Sequence, residues 1–174
     1  GYLPPFGAAV SGTFNDTLHN DFGFLEYLTA GRLIHLFKSA ATHATPGTLG
    51  YRISTDMGRT WTARATALST VTNVTYQVAG GVGFNHRLHV FFGRATNLVA
   101  YTYSDDRGVT WATPAPVITV GAGRAVAPYG KCIRIGDDTL MVTYYDSPSA
   151  GGAGLFQVTA LFSTDNGATW GSPA

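Results

Sequence analysis

Side chains suited to gripping a polar ligand are spread along this chain, and their types agree with one another. Arg94 and Arg124 carry the planar, multi-donor fork that matches a carboxylate or a pair of sugar hydroxyls, and Lys38 carries a compact charge. Asp21, Asp146 and Gln77 add acceptors, while Tyr76, Tyr129 and Tyr145 offer flat apolar faces with a polar tip, on which a sugar ring can stack. His19 and His43 complete the set. The 11 Lys and Arg are scattered and balanced by 10 Asp and Glu, so the chain suits an uncharged glycan or small ligand better than a nucleic acid.

Other chemistries fail on spacing. His86 and His89, three apart on a strand, point to opposite faces and make a poor metal pair. The glycines at 80, 81 and 83 precede no helix, which removes a phosphate loop. Cys132, the single cysteine, lies in an apolar stretch and reads as an inert buried thiol, and His35 reads as a core residue with a partner. No segment approaches the roughly 20 apolar residues of a membrane-spanning helix. The expectation is no metal, no cofactor, no nucleic acid and no membrane.

The elements that must position these residues are announced by a repeat. Ser-x-Asp-x-Gly-x-Thr-Trp occurs at Ser54–Trp61, Ser104–Trp111 and Ser163–Trp170, at intervals of 50 and 59 residues. Asp accepts backbone N–H bonds in a turn, Gly two residues later takes positive φ without a clash, and Trp anchors the chain that follows. Asp56, Gly58 and Trp61, Asp106, Gly108 and Trp111, and Asp165, Gly167 and Trp170 are therefore structural, and turn chemistry already accounts for the three carboxylates.

Alternating or apolar runs flank each octet. The spacing predicts a first strand over 22–29, 76–84 and 126–135, a second over 33–37, 88–92 and 140–144, and a third ending at each octet. A fourth follows the Trp, over 62–68 and 112–120. No helical period appears, so the fold class is all-β.

The octet resembles the Asp-box (BNR) repeat of sialidase-like β-propellers at all three copies, over about residues 20–174. The resemblance implies three four-stranded blades at 20–69, 70–120 and 121–174, the third lacking its outer strand. Residues 1–19 are expected to supply that strand, to their own chain or to a partner. Three blades do not close a ring, so the expected assembly is a two-fold homodimer with six blades. The competing expectation is half of a longer chain.

The resemblance also implies that ligand meets the end opposite the octets, where the candidate side chains cluster. A sialidase uses three arginines, a Tyr nucleophile, a Glu and an Asp. Arg94 and Arg124 supply two arginines and Glu26 is the sole glutamate, but the family's Arg-Ile-Pro motif is absent and Arg52-Ile53-Ser54 is the nearest string. The leading expectation is a glycan-binding propeller module without catalysis of its own, of the kind carried by surface or phage tail proteins, which implies an extracellular or virion setting. The alternatives are a sialidase-type or endosialidase-type glycosidase or a piece of one, and a structural half-propeller without ligand.

Overall fold

The computed structural model describes residues 18–68, 71–75, 77–148 and 156–171. Its strands are β1 (His19–Thr29), β2 (Arg32–Ala40), β3 (Thr48–Ser54), β4 (Ala65–Thr66), β5 (Val78–Val82), β6 (Leu88–Ala95), β7 (Leu98–Ser104), β8 (Ala115–Thr119), β9 (Ala125–Ile135), β10 (Thr139–Ser147) and β11 (Gln157–Ser163). β1 to β4 form one sheet in chain order, and the second sheet runs β11-β10-β9-β5-β6-β7-β8. Pairing is antiparallel except where β5 meets β9, through the single pair Gly80 and Lys131. The fold is all-β, and its one helical turn among the described residues is the 3-10 turn Phe84–His86.

Several strands are shorter than the sequence suggests. The run 76–84 gives only Val78–Val82, because Asn85 (φ 54) and His86 (φ 62) turn left-handed and carry the chain into a tight turn. The run 62–68 pairs only at Ala65–Thr66, and 112–120 only at Ala115–Thr119. Each follows an octet at an outer edge, where one side of the ladder has no neighbour to enforce pairing. Of residues 1–19, expected to supply the missing strand, 1–17 lie outside the described residues.

The repeats pack face to face. Burial continues without a break through Leu88–Phe92, His89 included, because β6 is covered on both sides. Leu88, Val90 and Phe92 join Ile34, Leu36 and Leu49 in one core cluster. Phe91, from the other face, joins Leu140, Val142 and Leu161 in a second. The first strands of the repeats adjoin: a side chain at Gly80 would collide with the Phe24 ring of β1, and one at Gly81 with the Cys132 carbonyl of β9. Lys131 Nζ then reaches Glu26 Oε2 at 2.9 Å, tying β9 to β1.

Each octet makes the same turn. The Ser54 hydroxyl donates to Asp56 Oδ1 (2.8 Å) and accepts from the Gly58 N–H (2.8 Å). Asp56 also accepts from the Thr60 N–H (2.9 Å) and the Thr60 hydroxyl (2.6 Å). Ser104, Asp106, Gly108 and Thr110 repeat these contacts, as do Ser163, Asp165, Gly167 and Thr169. The Thr hydroxyls, backbone N–H groups and Ser hydroxyls hold Asp56 and Asp165 at about 2. At Asp106 burial works the other way and is outweighed by the same bonds, so it too lies at about 2.

Candidate functional site

The candidate residues divide between the two faces of the β9–β11 sheet, because neighbours along a strand point to opposite sides. Tyr145 and Asp146 are consecutive in β10. Tyr145 stands opposite Val158 and Asp146 opposite Gln157. Their faces carry two separate cavities.

On the outer face Tyr129, Tyr145, Phe156 and Val158, with Gln77 from just before β5, line a trough of about 370 Å³. Tyr145 meets Tyr129 edge-on at 6.5 Å and Phe156 at 5.6 Å. The walls are apolar, and Tyr129 and Val158 are 59% and 75% exposed. Phe156 and Val158 carry none of the polar chemistry by which the sequence selects candidates. Their alternation with β10 partners is the signal that places them.

On the other face Arg124, Asp146, Pro148 and Gln157 line a cleft of about 360 Å³. Arg124 Nη2 donates to Asp146 Oδ2 in an ion pair. Arg124 remains half-exposed, while Asp146 Oδ1 is buried and accepts no hydrogen bond. The cleft sits where the second repeat meets the third, since the Val126 N–H donates to the Thr96 carbonyl at 2.8 Å. Arg94 stands exposed near that meeting point, two residues before Thr96 at the end of β6. The half-exposed Arg124 guanidinium, held from one side by Asp146, can donate to two hydroxyls of one sugar or to a carboxylate.

Lys38 does not join either group. It is 1% exposed, and its ammonium donates to the His43 carbonyl at 2.5 Å and the Thr75 carbonyl at 3.5 Å. This charge holds the β2–β3 loop against the link to the second repeat, which corrects its reading as a ligand-facing residue. Asp21 pairs with Lys38 in the β1–β2 register. Tyr76 lies outside the described residues. His19 and His43 meet edge-on at 5.9 Å, away from both cavities.

Of the remaining histidines, His35 and His89 pack against aromatic rings. His35 is half-buried against Phe37, with ring centroids 4.9 Å apart, rather than fully enclosed in a core. Burial and then the Arg52 charge lower its pKa. His89 is fully buried in β6 while His86 is exposed on the 3-10 turn. Among the described residues no group of His, Cys, Asp or Glu has the arrangement to hold a metal, and no helix is long and apolar enough to cross a membrane.

No protein-family model matches the chain, and no curated protein matches it. Solved structures do. A Hadza microbial sialidase superposes with a TM-score of 0.68 at 19% identity, over 87% of this chain and 36% of its own. A Penicillium chrysogenum α-L-arabinanase complexed with arabinobiose gives 0.65 at 17%, over 87% and 48%. A Dyadobacter fermentans protein of unknown function gives 0.71 at 15%, over 91% and 55%. The chain thus shares the fold of sialidase-like and arabinanase-like β-propellers and spans about a third to a half of the length of these structures.

Proposed function

We propose that this chain is a glycan-binding β-propeller module without catalysis of its own, built of three blades that a second copy completes to six. The observation that carries the binding reading is the Arg124–Asp146 pair, whose half-open guanidinium lines a cleft between two repeats. A donor fork held in place by a carboxylate suits neighbouring hydroxyls of a saccharide. Arg94, exposed at the end of β6, is the further donor this reading calls on. The octet carboxylates take no part, because all three are committed to turns.

A screen against immobilised neutral and acidic oligosaccharides tests this. Binding to one saccharide class, weakened at least tenfold by Arg124→Ala, supports it. Silence across the screen leaves a structural half-propeller as the better description.

A second reading is a glycoside hydrolase, favoured by the names of the structural neighbours, a sialidase and an arabinanase. Turnover of a fluorogenic sialoside or arabinofuranoside, lost in Asp146→Asn, would replace the non-catalytic reading with that one.

A further inference from the structure

Arg124 is positioned by its backbone before its side chain meets anything. Its N–H donates to the Gly121 carbonyl at 3.2 Å, closing a four-residue turn whose third position, Gly123, has φ +82. Two residues on, Val126 pairs with Asp146 in the β9–β10 register. Turn and register together bring the guanidinium to the Asp146 carboxylate. Asp146 stands opposite Gln157 of β11, so these two side chains leave the sheet as neighbours on one face. Pro148, two residues beyond Asp146, adds a stiff apolar wall.

The charges of this cleft cancel. Among the described residues that line it, Arg124 and Asp146 are charged, Gln157 and Pro148 are neutral, and Arg94 is not part of the lining. Asp146 is 13% exposed, and among the described side chains Arg124 is the one that bonds its carboxylate, at Oδ2. A ligand carboxylate that took the guanidinium for itself would leave Asp146 a mostly buried charge without a partner, which is costly. One that approached without displacing Asp146 would bring a second negative charge to a cation already neutralised. A hydroxyl meets neither cost. It can accept from the guanidinium N–H groups that Asp146 leaves free, and it can bond the exposed Gln157 amide, which both donates and accepts.

We propose that this cleft selects neutral saccharides over acidic ones, with Asp146 setting the preference and Gln157 binding hydroxyls beside Arg124. Asp146 is a positioning residue that acts through Arg124: it fixes the fork and cancels its charge. Gln157 touches the ligand itself. The same arginine without Asp146 would be a site for carboxylates. This inference rests on the glycan-binding reading above and names the class of saccharide that the site takes.

Immobilised oligosaccharides in matched pairs test it, each pair setting a hexose against the hexuronic acid that differs only by a carboxylate at the last carbon. The unaltered chain is expected to bind neutral members, with each acidic counterpart weaker by about tenfold or more. Asp146→Asn should move that ratio toward the acidic member by about tenfold. Gln157→Lys adds a cation at an exposed position and keeps the ion pair, so it should move the ratio the same way even if Asp146→Asn fails to fold. Gln157→Ala should weaken the neutral member by roughly threefold to tenfold, the loss of one hydrogen bond. Tighter binding of acidic members by the unaltered chain, or a ratio that neither Asp146→Asn nor Gln157→Lys moves, would overturn the selectivity and leave a glycan site standing. Silence on every pair would remove the site and the selectivity together.

Discussion

His89 Nδ1 lies 2.9 Å from the Tyr101 hydroxyl in the seam between the second and third repeats. The Trp170 indole from the third octet meets both rings, at 6.0 and 5.6 Å. Burial, and then the charge of Arg87, bring the imidazole down to about 4, while Asn166 and Asp105 oppose the shift. The seam is therefore built for a neutral His89.

Stability should fall as this group is driven to protonate. Its folded pKa lies below its unfolded value of 6.5, so its contribution is complete above pH 6.5 and is lost as pH falls toward 4. A shift of this size corresponds to about 3 kcal/mol. The octet aspartates act in a separate window, from their ordinary value of 3.8 down to about 2. Urea unfolding between pH 7 and 4 should show the first loss in the unaltered chain and much less of it in His89→Gln. Equal slopes in the two would remove His89 as the cause.

Gly167→Ala should be costly for two reasons that a control can separate. Its φ is +84, and a Cβ there would strike the Tyr101 hydroxyl and His89. Left-handed backbone costs about 1 kcal/mol for alanine, and overfilling a packed seam about 2 more. Gly123 has φ +82 with no described atom within 4 Å, so Gly123→Ala should show the backbone cost alone. Equilibrium unfolding of the two variants gives the difference directly.

Lys38→Met should damage the fold and spare the site. It strands the His43 and Thr75 carbonyls that the ammonium serves, at a cost of about 1–3 kcal/mol. Saccharide affinity at 25 °C should be unchanged so long as the variant is folded. A variant with intact stability and lost binding would return Lys38 to the ligand-facing group.

Cys132 should resist reagents that attack thiolates. Burial, with help from Glu26, pushes its thiol up to about 12. An aromatic disulfide reagent at pH 8 should label it only after denaturation, with one equivalent released. Rapid labelling of the native chain would show that β9 opens.

What was legible in the sequence follows from local chemistry. The octets place their own turns, because Ser, Asp, Gly and Thr satisfy one another within eight residues. The alternation of Leu88, Val90 and Phe92 against Phe91 marks a strand covered on both faces. The division of the candidates was less visible. Arg124 and Asp146 are 22 residues apart, and they meet only because Val126 and Asp146 pair in the β9–β10 register. Lys38 reads as a loop-end cation, yet its enclosure depends on Thr75, 37 residues away.

Sequence alone determined the three turns, the all-β class and the period, since each depends on contacts within a few residues or on alternation along a strand. Tertiary structure decided which face each candidate occupies and which charge is enclosed. Those outcomes depend on the register between strands and on the stacking of repeats. A one-residue difference in register would have moved Tyr145 and Asp146 to each other's side.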